Sequence, residues 1–178
     1  LMSTQTAPAQ PAQMSTDEAA AFAAQVFDKA RQGDAPMLER LLQSGLLVNL
    51  RNHKGDTLLM LASYHGHHDA VQVLLSHGAD PLIANDNGQL PIAGAAFKGD
   101  MAMIRLLLEN GVPVDAAAQD GRTALMLAAM FNRVEILEYL LAQGANPALQ
   151  DARGANALMA AQTMGAVDAT ARLQALAG

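Results

Sequence analysis

Four of the five histidines, His53, His65, His67 and His68, stand within 16 residues of one another. Imidazole is a common ligand for zinc and copper, so this cluster is the one place where the chain hints at metal chemistry. The spacing does not favour it. Gly66 interrupts the run, so His65 and His68 do not share one continuous helix, and no carboxylate recurs at metal-ligand intervals. The nucleophile candidates Ser63 and Ser76 have no base placed beside them by sequence logic, and Asp56, Asp86 and Asp120 lie in turn-forming tripeptides. Phosphate loops, nucleophile elbows and paired metal-binding histidines on a helix are all missing from the chain. The expectation is a protein with no catalytic residues, no bound metal and no cofactor.

What positions these side chains is a repeat. Gly55-Asp56-Thr57-Leu58-Leu59-Met60 returns as Gly88-Gln89-Leu90-Pro91-Ile92-Ala93, Gly121-Arg122-Thr123-Ala124-Leu125-Met126 and Gly154-Ala155-Asn156-Ala157-Leu158-Met159, each 33 residues after the last. A fixed period of this size marks a chain made by stacking one small unit. Gly33, Gly66, Gly99, Asn132 and Gly165 keep the same interval, as do Gly45, Gly78, Gly111 and Gly144. Between them run apolar stripes at helical spacing: Met37, Leu38, Leu41, Leu42, then Ala70, Val71, Leu74, Leu75, and their successors. Gly45 and its equivalents suit the left-handed residue that ends a helix. Each unit therefore reads as a short helix, a tight turn, a second helix ended by Gly, and an extended return whose tip is a turn such as Asn85-Asp86-Asn87-Gly88.

With these motifs in hand, the chain resembles the ankyrin repeat family. Thr57-Leu58-Leu59-Met60, Ala62, Gly66-His67, Val71-Gln72-Val73-Leu74-Leu75 and Gly78-Ala79-Asp80-Pro81 carry the match. Thr123-Ala124-Leu125-Met126-Leu127-Ala128-Ala129 and Gly144-Ala145-Asn146-Pro147 repeat it. The resemblance spans about residues 15–178. It implies an all-α solenoid of stacked antiparallel helix pairs with protruding β-turn or hairpin loops, and His67 then fills an ordinary family position. In place of the family's usual His stand Met60, Ala93, Met126 and Met159. Apolar packing by flexible, polarisable Met must replace the hydrogen bonds that His makes between repeats.

A single unit cannot bury enough apolar surface to order itself, so neighbours must share the deficit and the ends must be sealed. Lys29 stands where Ala62, Ala95, Ala128 and Ala161 stand later, and Gln174 replaces Leu42, Leu75, Leu108 and Leu141. Ser15 and Glu18 are spaced as a capping box, with Phe22, Val26, Phe27 and Ala30 as the buried stripe behind them. The expected organisation is a disordered tail over residues 1–14, a first capping repeat at 15–51, full repeats at 52–84, 85–117 and 118–150, and a last capping repeat at 151–178. Leu41, Leu74, Leu107, Leu140 and Leu173 should form one buried column.

Composition narrows the partners. A net charge of −6 argues against non-specific binding to nucleic acid or to anionic membrane. No run is long and apolar enough to span a bilayer. Without Cys there are no disulfides and no zinc-thiolate sites. The uncharged Ala/Gln/Pro tail shows no basic start followed by an apolar run, so a cytoplasmic home is expected, with a periplasmic one open if a signal sequence was removed. The Ala-rich composition and the Thr-Ala-Leu-Met-Leu-Ala variant point to a bacterial source.

The resemblance also implies where a ligand would lie: on the concave face, built from the loop tips and the last two residues of each first helix. Those helix-end pairs are Arg31-Gln32, Tyr64-His65, Phe97-Lys98, Met130-Phe131 and Thr163-Met164. The tips add Lys54 and Asp56, Asp86 and Gln89, Asp120 and Arg122, and Arg153. Half of the six aromatic residues, Tyr64, Phe97 and Phe131, fall on this row, as a binding surface would need. They would equally serve to pad the groove between adjacent helices. The expected function is a non-catalytic adaptor or regulator that binds a protein partner and is itself monomeric, with weak self-association through the tail. Two alternatives are a histidine-based metal-binding or stress-protective protein and a self-associating structural protein.

Overall fold

The computed structural model of the chain describes residues 15–177, so the expected tail lies outside the described residues. Ten helices follow one another in five antiparallel pairs: α1 (Thr16–Gln32) with α2 (Ala35–Gln43), α3 (Leu58–Tyr64) with α4 (His68–Ser76), α5 (Pro91–Lys98) with α6 (Met101–Glu109), α7 (Ala124–Met130) with α8 (Val134–Ala142), and α9 (Ala157–Thr163) with α10 (Val167–Ala177). Among the described residues the loops carry no strands, and the hairpin character shrinks to one antiparallel bridge, Arg51 with Thr57.

Local chemistry explains where each helix starts. Thr57, Thr123 and Asn156 accept the N–H groups of Met60, Met126 and Met159 with their side-chain oxygens, which satisfies donors that the first turn leaves orphaned. Ser15 does the same for Glu18 at 3.2 Å. In α5 the cap position is Leu90, which makes no such bond, and Pro91 pre-sets the first turn instead. The turn between paired helices needs a left-handed residue. Gly33, Gly66, Gly99 and Gly165 supply it, with φ between 67° and 77°, and Asn132 does so at φ 56°.

The two rows of the stack differ in side-chain size. The first helices meet through Ala62, Ala95, Ala96, Ala128, Ala129 and Ala161, all at most 1% exposed, so they approach closely and touch one another far more than the second helices do. The second helices pack with Val71, Leu74, Ile104, Leu107, Leu137 and Leu140, larger residues that hold their axes apart. The closely packed row of first helices, with the tips beyond them, is the flank that the resemblance makes the concave face.

Leu74, Leu107, Leu140 and Leu173 form the expected buried column, but Leu41 is only half-buried and its neighbour Leu42 is buried instead. Among the described residues no unit stands before the first, where Leu41 is partly open, and none after the last, where Gln174 is exposed. Met60 and Met126 are buried, whereas Met159, in the last described unit, is 47% exposed.

Polar ties join one pair to the next in place of the missing family His. The ring Nε2 of His67 donates to the Arg31 carbonyl at 2.7 Å, and Arg133 Nη2 donates to the Phe97 carbonyl at 3.1 Å. His68 meets Asp100 at 3.1 Å, His77 meets Glu39 at 2.9 Å, and Arg172 is bound to Glu138. At the tips, the N–H of Asp86 donates to the Lys54 carbonyl, and the N–H of Ala152 to that of Asp120.

Candidate functional site

The concave row contains an open groove of about 380 Å³. Met60 and Tyr64 of α3, Ala93, Gly94 and Phe97 of α5, and Leu127, Met130 and Phe131 at the end of α7 line its apolar side, while Asn87, Gly88, Gln89, Asp120 and Arg122 of two tips line its polar rim.

Its shape comes from α5. At the positions where α3 has Met60 and Leu61, and α7 has Met126 and Leu127, α5 has Ala93 and Gly94. Gly94 does not have the positive φ of the turn glycines. A Cβ there would stand 3.6 Å from Tyr64 Cδ2, an ordinary contact, so neither backbone conformation nor crowding requires glycine. Helix-interior glycine costs about 1 kcal/mol relative to alanine. What it leaves is room.

The rings take up both roles that the sequence leaves open. Phe97 and Phe131 meet edge to face with centroids 4.8 Å apart, a pair that bridges neighbouring units. Tyr64 and Phe97 nevertheless stay 37% and 39% exposed, and Phe131 is half-buried. Lys98 Nζ lies 4.6 Å from the Tyr64 ring centroid, and His65 stands edge-on to the same ring at 5.5 Å.

The structure brings six of the expected residues together in the groove: Tyr64, Gln89, Phe97, Arg122, Met130 and Phe131. Lys98 and His65 sit beside it, on Tyr64, rather than in its lining. Lys54, Asp56 and Arg153 are outside the lining. Asp56 is held by its neighbour's tip, accepting from Asn85 Nδ2 at 2.9 Å. Arg153 donates its backbone N–H to Asp151 at 2.9 Å within its own turn. Sequence reasoning missed Met60, Ala93, Gly94 and Leu127. The clue was present in the register: Ala93-Gly94 is where the apolar repeat loses its bulk.

Electrostatics around the groove are simple. Among the described residues, neither Lys98 nor Arg122 lies within ion-pair distance of a carboxylate. Asp120 is engaged as a turn acceptor for the Arg122 N–H at 3.0 Å. The His65 imidazole is held below its ordinary pKa, first by burial, then by the positive fields of His67, Lys98 and Arg31. The Asp151 carboxyl is held low chiefly because it accepts the Ala155 N–H. The clustered histidines are divided among separate tasks: His67 and His68 tie adjacent units, and His65 stands against Tyr64.

Comparison with known proteins agrees with this architecture. A family model for ankyrin repeats (3 copies) matches residues 26–117 and 92–174. A Pseudomonas aeruginosa protein named as an ankyrin repeat protein (PA3287) is 67% identical over 52 residues, covering 29% of this chain and 30% of that protein. Ankyrin repeat domain-containing protein 29 of Danio rerio is 45% identical over 56 residues, 31% of this chain and 19% of that protein, and its Homo sapiens counterpart is 47% identical over 55 residues. Each match thus spans less than a third of the relative's length. Proteins built from such repeats are in general non-catalytic modules for protein–protein interaction. With the family model covering most of its length, the chain belongs to the ankyrin repeat family.

Proposed function

We propose that this chain is a non-catalytic adaptor or regulator that docks one protein partner on its concave face. The observation that carries this reading is the partly exposed row Tyr64, Phe97 and Phe131 around a groove with unpaired cations beside it. Aromatic and Arg anchors at the centre of a contact patch supply most of the energy in protein interfaces. The surface is also preformed. Rings and tips are fixed by the stack itself, so docking demands little reordering and loses correspondingly little affinity.

The test is photo-crosslinking in the source cell. A benzophenone amino acid at position 97, on the concave face, should capture a discrete protein; the same group at Glu135, on α8, should not. Capture from position 97 should vanish in the Tyr64→Ala/Phe131→Ala double variant while circular dichroism stays unchanged. Crosslinks arising only from position 135 would defeat the reading.

A further inference from the structure

Two asparagines of the chain, Asn87 and Asn110, are followed by glycine, and the fold treats them differently. We infer that Asn87 is a site of uncatalysed covalent modification, at which water removes the side-chain amide through a cyclic imide closed by the Gly88 nitrogen. The inference does not depend on what docks on the concave face.

Asparagine is among the chemically labile residues, and glycine after it makes ring closure easy. The Gly88 backbone nitrogen reaches Asn87 Cγ by closing a five-membered ring, and without a Cβ on Gly88 nothing crowds that approach. The nitrogen gives its proton to water and attacks Cγ. A C–N bond forms there, the Cγ–Nδ2 bond breaks, and the amide leaves as ammonia. Water then opens the imide at either of its carbonyls, leaving aspartate or the β-linked isoaspartate. Nothing is oxidised or reduced: one amide and one water become one carboxylate and one ammonium ion.

The fold selects between the two sites. Asn87 is exposed at the tip between α4 and α5, and among the described residues its side chain makes no hydrogen bond. The bonds that hold this tip converge on Asn85 instead, whose Oδ1 accepts the N–H groups of Asn87 and Gln89 at 3.1 and 3.0 Å. The Gly88 N–H donates to the Asn85 carbonyl at 2.9 Å, so attack requires one turn bond of an exposed loop to open. Asn110 is the C-cap of α6. Its Nδ2 donates to the Leu106 carbonyl at 2.8 Å, and the N–H groups of Gly111 and Val112 donate to the carbonyls of Leu108 and Leu107, both at 3.1 Å. Val112 is itself buried. Freeing Gly111 therefore means unwinding a helix end and lifting a core side chain, a larger local opening than the tip needs.

The product matters because of where it stands. Asn87 lines the rim of the groove with Asp120 and Arg122, so each event places a carboxylate there and adds one negative charge to a chain that carries −6. With no enzyme required, the charge of this rim follows the age of the molecule.

Incubation of the whole chain at mildly alkaline pH, followed by tryptic peptide mapping, tests this. Cleavage after Lys54 and Lys98 isolates the Asn87 peptide, in which fragment ions separate Asn87 from Asn85, and cleavage after Arg105 and Arg122 isolates Asn110. A parallel sample unfolded in guanidinium chloride sets the clock, and sampling continues until half of its Asn110 is converted. By then the folded chain should carry aspartate and isoaspartate at position 87. Folding should slow Asn110 at least about tenfold more than it slows Asn87, because more hydrogen bonds must break before Gly111 can attack. Asn87→Gln, which does not close the five-membered ring, should remove the main acidic species seen on anion exchange while circular dichroism stays unchanged. An unmodified Asn87 in the folded chain, equal slowing of both sites, or an acidic species that persists in Asn87→Gln would overturn the assignment.

Discussion

Asn132 Oδ1 accepts the backbone N–H of Ala169 at 2.9 Å, across the boundary between the fourth and fifth helix pairs. In the earlier pairs the residue just before the second helix makes its own arrangement: Asp34 and Asp100 cap the N–H groups of Met37 and Met103, and His67 and Arg133 donate backwards to the preceding pair. In the last pair that position is Ala166, which has no side chain to offer. Asn132, the one non-Gly residue with positive φ among the described residues, supplies the cap from the previous unit, and its amide also donates to Asp168 at 3.3 Å.

Replacing Asn132 separates the two tasks. Asn132→Gly keeps the left-handed backbone and loses the cap, so it should cost at most about 1 kcal/mol. Asn132→Ala loses the cap and also forces a Cβ into the left-handed region, so it should cost about 1–2 kcal/mol more than Gly does. Urea titration followed by circular dichroism should give the order Asn, Gly, Ala. A Gly variant less stable than Ala would refute the assignment.

Gly33 makes room for His67. A Cβ at Gly33 would stand 2.4 Å from the imidazole, and φ there is 72°. Gly33→Ala should therefore destabilise by about 2 kcal/mol or more, combining backbone strain with the clash. In a His67→Ala background the contacts with the ring disappear and only the strain and a 2.8 Å approach to the remaining Cβ are left, so the penalty should shrink. A double-mutant cycle measures the difference, and strict additivity would contradict the contact.

Gly94→Ala should raise stability by about 0.5–1 kcal/mol, since α5 gains helix propensity and the added methyl meets Tyr64 at an ordinary distance. Thermal unfolding reads this directly, and a loss of stability would mean that glycine is needed for the backbone.

The His65 imidazole has a folded-state pKa below its unfolded value, so the unfolded chain binds its proton more readily. The stability that this residue contributes is complete above the ordinary value of 6.5 and declines as pH falls from there toward the lower folded value. His65→Gln should flatten that part of the stability–pH curve. The effect is small for so open a side chain, and equal slopes in wild type and variant would argue against the shift.

Much of the fold was legible because stacking imposes a period on the chain. Thr57 and Thr123 announce caps, Gly66 and Gly99 announce left-handed turns, and Ala62, Ala95, Ala128 and Ala161 mark the closely packed row. Each follows from local backbone chemistry or from burial against an identical neighbour, and both repeat every 33 residues.

What the period could not settle is whatever differs between units or depends on having no neighbour. Leu41 and Leu173 occupy equivalent places in sequence, yet one is half-open and the other buried, and among the described residues only Leu173 has a unit before it. Likewise the sequence by itself determined the helix pairs, their order and the row of side chains on one flank. Only the tertiary structure decided that Ala93 and Gly94 leave a groove between α3 and α7, that Phe97 and Phe131 close on each other, and that Lys98 settles on Tyr64. These depend on distances between units, which side-chain volumes across three helices set jointly and which no single stretch of the chain encodes.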